Sequence, residues 1–146
     1  KTYGTLPYVM LDIAPGNELF YYNKYALNTI IRWEYLHDRY AGLNFEHNFG
    51  SGIFKWFGPT RKMKLRQFWT AKVLNADLSD ANMALNFING NSFQTLDGKT
   101  FVELGTGVDN ILRLLRIDFI WRVLPTPLPP ERIRRFGIFG SIRFSF

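Results

Sequence analysis

Arg116 and Asp118 stand two residues apart in LRLLRIDFIW, a spacing that sets a guanidinium and a carboxylate side by side on one face of a β-strand. Such a pair can polarise a substrate, but it more often joins a structural ion network. GTGVDN, Gly105 to Asn110, has the glycine density of a phosphate loop, yet no lysine or helix start follows it at the needed spacing. Its glycines read instead as strand positions facing a crowded interior or allowing sharp curvature. The histidines, His37 and His47, have no third metal ligand at matching spacing and no serine or cysteine nucleophile motif nearby. Glu46 and Glu103 carry acid–base capacity, but nothing in the sequence places them in a cleft. No catalytic, cofactor or metal set is assigned, and the chain is expected not to be an enzyme. A small lipid-modifying enzyme would need a paired Ser and His at one rim, which the sequence lacks.

These charges lie on segments that alternate with period two. From Ala26 to Leu36 one face carries Leu27, Thr29, Ile31, Trp33 and Tyr35, and the other Asn28, Ile30, Arg32 and Glu34. A second segment sets Ala41, Leu43, Phe45, His47 and Phe49 against Tyr40, Gly42, Asn44, Glu46 and Asn48. Three more follow: Leu65 to Val73, Val102 to Asp109, and Leu115 to Val123. The tail RRFGIFGSIRFSF is a sixth, and the opening TLPYVMLDI an extended piece that Pro7 holds at an edge or bend. Between strands, the 77–99 stretch and PTPLPPER are long polar or proline-rich loops, whereas IFKWFG and DNILRL are apolar and basic turns.

What the two faces contain decides the fold class. Aromatics make up 17% of the chain while the mean hydropathy is only −0.12, so ring content is high without overall greasiness. No apolar run approaches the ~18 residues of a helical membrane span, which leaves strands as the only way across. The net charge of +6 is spread through alternating segments and matched by acids along most of them, so nucleic acid is not an expected partner. A soluble barrel or sandwich keeps few ions inside, because each unpaired buried charge costs several kcal/mol. The polar faces here hold Arg32, Arg66, Lys72, Arg116, Arg122 and Arg143 along with Glu34, Glu46, Glu103, Asp109 and Asp118. That distribution predicts an all-β, antiparallel up-and-down transmembrane β-barrel, with these charges lining the lumen, nine of them (all but Lys72 and Asp109) assigned to a charge network, and the aromatics against lipid. Six strands fall short of the eight that begin the bacterial series, so residues 1–146 are expected to be the C-terminal part of a larger barrel, with an upstream domain absent. A soluble ligand-binding β-barrel or sandwich is the alternative.

The tail adds a location. Phe136, Ile138, Ile142, Phe144 and Phe146 alternate up to a terminal aromatic, which resembles the C-terminal signal of bacterial outer-membrane barrels. In that likeness the last strand is read by the barrel-assembly machinery, and Phe146 sits at the periplasmic rim. The long loops are then extracellular and the IFKWFG and DNILRL turns periplasmic. Ile53, Phe54, Trp56 and Phe57, flanked by lysines and Arg61, would form a short interfacial element. TLPYVMLDIAPGNELFYYNKYALN, YLHDRYAGLNFEHNF, KLRQFWTAKVLNADLSDAN, FVELGTGVDNILRLLRIDFIWRV and GSIRFSF, in this order, resemble the C-terminal barrel region of a family of Bacteroidetes outer-membrane proteins. Members of that family carry a carboxypeptidase-regulatory-like domain upstream. VELGTGVDNILRLLRIDF is more loosely similar to the penultimate strands of the barrel-assembly and translocation superfamily, but PGNELFYYN lacks that superfamily's loop arginine. These likenesses imply a non-enzymatic outer-membrane protein of the transport, assembly or surface-display type. Its expected partners are outer-membrane lipid, the assembly machinery and other outer-membrane subunits.

Overall fold

Alternating residues must either bury one face or find a second solvent for it, and the computed structural model shows which side of each strand is covered. It describes residues 4–32, 34–56, 58–60, 63–86, 94–130 and 134–142. Near the N-terminus a 3-10 turn, Tyr8–Met10, precedes β1 (Asp12–Ile13), which pairs antiparallel with β2 (Leu36–His37). The main sheet is a meander of five antiparallel strands in sequence order: β3 (Arg39–Gly50), β4 (Arg66–Asp77), β5 (Thr100–Ile111), β6 (Leu115–Leu124) and β7 (Phe136–Ile142). One short helix, α1 (Asp80–Asn86), interrupts the polar stretch between β4 and β5 that had been expected as loop. The chain is therefore all-β and antiparallel, with little helix. Among the described residues the sheet is open, with β3 and β7 as its edges.

Four of the expected strands lie within one to four residues of their predicted ends, and the tail strand is described as far as Ile142. The strand expected over 26–36 does not form. Leu27 makes only an isolated bridge to Gly16, and turns carry the chain to the two-residue β2. The reason is visible in the partners. Asn28 takes hydrogen bonds from Asn17 Nδ2 and from the Asn23 backbone and donates to the Asn23 and Ala26 carbonyls, a local network that competes with a strand ladder. TLPYVMLDI likewise is extended only at Asp12 and Ile13.

Residues 14–32, with 34 and 35, instead form a strap across one face of the sheet. Its apolar contacts come in two groups. Ala14, Leu27, Ile30 and Tyr35 pack with Leu74, Ala76, Leu96 and Phe101, and Tyr22 packs with Ile120 and Phe139. At the far end of β7, Tyr22 donates its backbone N–H to the Gly140 carbonyl at 2.9 Å, and Gly140 donates to the Phe20 carbonyl at 2.8 Å. Leu11, Leu36 and Leu78 make a third cluster beside β1 and β2. Each side chain of Asn82 and Asn86 in α1 bonds the backbone of Gly4 or Leu6, which fixes the first turn of chain beneath the helix.

Candidate functional site

The covered face of the sheet is its charged face. Register aligns Lys72 with Glu103 and Glu103 with Arg122, three ionic side chains in one row across β4, β5 and β6. All three are buried, as are Arg116, Asp118 and Asp109. Since an isolated ion in such a place is costly, each must be paired and hydrogen-bonded, and the strap supplies much of that pairing.

Glu103 is the anchor. One oxygen accepts from the Asn28 N–H at 3.0 Å, and the other accepts from the Thr29 N–H at 3.1 Å and the Thr29 hydroxyl at 2.9 Å. Lys72 Nζ stands 3.7 Å from the same carboxylate. It donates to the Asn23 carbonyl at 2.9 Å and to that of Ala26, so the ammonium closes the turn that presents Asn28. Arg122 donates to Glu34 at 3.0 Å and to the Tyr35 hydroxyl, with Arg134 on the same Glu34 oxygen at 2.6 Å. Its guanidinium also lies 4.9 Å from the Phe101 ring centroid.

Arg116 and Asp118 form the second centre. Arg116 meets Asp118 through Nε at 2.9 Å and Nη2 at 2.7 Å, and Nη2 reaches across to Glu46 of β3 at 2.9 Å. The guanidinium is sandwiched between aromatic faces, 3.6 Å from the Phe68 centroid and 4.6 Å from that of Tyr22. Gly107 makes room for this stack, because a Cβ there would run into the Ile117 carbonyl and come within 2.6 Å of Phe68 Cζ. Gly105 is closed in by Thr70 in the same way. The glycines of GTGVDN thus face a crowded interior.

Of the nine residues assigned to a charge network from sequence, Glu34, Glu46, Glu103, Arg116, Asp118 and Arg122 converge on this face. Arg66 pairs with Asp109 at 3.1 Å nearer the sheet's end. Arg32 is a correction. With no strand over 26–36, alternation does not apply to it; its backbone N–H is held by Glu18 and the residue is exposed. Arg143 lies outside the described residues, as do Trp33, Phe144 and Phe146. Of the tail set, Phe136, Ile138 and Ile142 share the uncovered face. Lys72 and Asp109, read from the sequence on the polar faces of their strands, are buried here as well. Asn28, Thr29, Tyr22 and Arg134 carried no signal of their role; the partner of Asn28 and Thr29 is about 75 positions away in the chain.

The uncovered face is mostly apolar, with large rings and branched aliphatics on all five strands. Register sets Phe45, Ala71, Leu104, Trp121 and Phe136 in one row, and His47, Trp69, Thr106, Phe119 and Ile138 in the next. Leu43, Phe45, Trp69, Leu104, Trp121 and Ile138 are all more than two-fifths exposed. A contiguous apolar face of this kind is rare on a soluble monomer.

Beyond the sheet, Asp38 ties the β2–β3 junction to α1. Burial opposes its ionisation, but hydrogen bonds from the Ser79 hydroxyl and N–H and from Asn82 Nδ2, with the nearby Arg39, outweigh that and hold its pKa below the usual carboxylate value. His37 beside it is buried, and burial lowers its pKa against the opposing pull of Asp12 and Asp38. Among the described residues no group of three His, Asp or Glu gathers as a metal site. No family model matches the chain, and neither a curated protein nor a solved structure matches it.

Proposed function

We propose that this chain forms the C-terminal strands of an integral outer-membrane β-barrel that serves transport, assembly or surface display and performs no catalysis. The observation that carries the reading is the polarity of the sheet: ions and hydrogen-bonding groups on the covered side, rings and branched aliphatics on the open side. Water would favour the opposite arrangement, whereas a lipid exterior around a polar lumen requires this one. β3 to β6 have 10 to 12 residues each, enough for tilted spans across a hydrocarbon core. Further strands would close the cylinder along the β3 edge and along the part of the β7 edge that the strap's bridge at Gly140 leaves free, because unpaired backbone groups are not tolerated in hydrocarbon. In this cylinder the strap occupies the lumen. The proposal includes the Bacteroidetes family likeness, carried by the PGN, HDRY and LRID strings in order, and recognition of the last strand by the assembly machinery.

Fractionation tests the reading. The protein should sediment with outer membranes, resist extraction by salt, and run on a gel at a mobility that changes on heating. Recovery as a detergent-free soluble monomer would overturn it and favour a soluble ligand-binding sheet. That second reading draws on an open cavity of about 370 Å³ whose lining includes Tyr25, Leu27, His37, Tyr40 and Asn44. Replacing Phe146 with lysine should reduce membrane assembly severely; unchanged assembly would remove the terminal signal from the proposal.

A further inference from the structure

One end of the sheet differs in chemistry from the other. The β3–β4 and β5–β6 connections meet there, and Asn110 Nδ2 binds them together by donating to the Lys64 carbonyl at 2.8 Å. The first connection holds a 3-10 turn, Ile53–Trp56, braced by the Thr60 hydroxyl donating to the Phe54 carbonyl at 2.8 Å. Trp56 is 89% exposed and Leu112, in the other turn, 72%. Phe49, Ile53 and Met63 are exposed beside them. An open apolar groove of about 430 Å³ runs between Phe49, Ile53, Trp56 and Trp69 and continues the uncovered face of the sheet.

Among the described residues the exposed charge at this end is of one sign. Lys55, Lys64 and Arg113 are exposed, and residues 50–66 and 110–115 contain no Asp or Glu. Asp109, the nearby acid, is buried and paired with Arg66. At the opposite end the β4–β5 connection carries Asp80 and Asp97. A soluble surface would interleave both signs among its lysines and would not surround them with exposed rings. Indole rings and cations together suit the layer where acyl chains give way to phosphate.

We propose that this end binds an anionic phospholipid at the bilayer surface, an acyl chain along the Phe49–Trp56–Trp69 groove and the headgroup phosphate among Lys55, Lys64 and Arg113. The site rests on the membrane reading above and adds to it a lipid preference and a place for that lipid. Its occupant is a membrane lipid and not a soluble phosphate ligand, because the groove is continuous with the lipid-facing side of the sheet.

The test uses the complete barrel protein that carries these strands, with every tryptophan outside residues 1–146 changed to phenylalanine, folded into phosphatidylcholine vesicles with and without phosphatidylglycerol. Trp33→Phe, Trp69→Phe and Trp121→Phe together leave Trp56 as the only indole; a companion protein keeps only Trp121, on the open face of β6. Brominated phosphatidylglycerol should quench Trp56 more than brominated phosphatidylcholine does, while Trp121 should show no preference. Lys55→Gln, Lys64→Gln and Arg113→Gln should each lower the preference at Trp56 by on the order of fivefold. Raising the salt concentration should weaken it without any substitution. Equal quenching of Trp56 by the two lipids, or none at all while Trp121 is quenched, overturns the lipid site and leaves the membrane reading in place. Failure of either lipid to quench Trp121 sinks the membrane reading and the site with it.

Discussion

Glu103 illustrates how a buried ion is made tolerable. Its two oxygens accept three hydrogen bonds from the strap and face Lys72, so the carboxylate and the ammonium stabilise a loop that neither could hold alone. Replacing one member leaves the other charged and buried, which costs about 3–5 kcal/mol. Glu103→Gln should therefore lower unfolding stability by that amount, and hydrogen exchange at the Asn28 and Thr29 amides should accelerate with it. An unchanged exchange rate would show that the strap is held by its apolar contacts. Gly107 is sensitive for a steric reason. Gly107→Ala presses a methyl against Phe68 and the Ile117 carbonyl, disturbing the stack that carries Arg116, and should destabilise by about 1–3 kcal/mol. Both losses can be measured by denaturant titration of the protein in detergent or lipid.

The element most open to pH is the β1–β2 pair. His37 favours its neutral imidazole when folded, because burial lowers its pKa below the ordinary 6.5 against the pull of Asp12 and Asp38. Its contribution is fully present above pH 6.5 and is lost as the pH falls from there toward the folded value, where the unfolded chain binds the proton first. Asp38 acts in a lower window: its depressed pKa contributes above the ordinary 3.8, and that contribution disappears as the pH falls through its folded value. Acidifying from pH 7.5 to about 5 should thus loosen β1–β2 through His37 while Asp38 still holds α1. Amide exchange at Asp12, Ile13 and Leu36 would report it, and His37→Gln should abolish the change. In the main sheet the elements respond differently, since their ends are set by long ladders. The alternation that predicts β3 to β7 is a property of each strand alone, and their placement to within a few residues follows from it. The 26–36 segment alternates just as well, yet it folds as a strap because Glu103 and Arg122 offer its backbone and Glu34 partners that no neighbouring strand provides.

At the scale of the whole molecule two surfaces with opposite demands have to be satisfied at once. The strap covers the polar face of β4 to β7, and in the proposed reading hydrocarbon covers the other face. If Leu43 and Ile138 contact lipid, a single charge there meets the hydrocarbon directly. Ile138→Arg should cost about 2–4 kcal/mol if it lies near the bilayer midplane, far more than the same change on a water-facing strand. Unfolding of the reconstituted protein measures it, and a cost within about 0.5 kcal/mol of zero would place the open face in water.

The all-β class, the five sheet strands and the separation of charged from apolar faces were determined by sequence alone, because period two is written in neighbouring residues and needs no distant partner. Pairing of Arg116 with Asp118 was readable for the same reason. Which face is covered, by what, and that Arg32 stays outside while Asn28 and Thr29 go in were decided by the tertiary structure. Those outcomes depend on contacts between residues some 50 to 90 positions apart, and only the folded chain brings such groups within hydrogen-bonding distance.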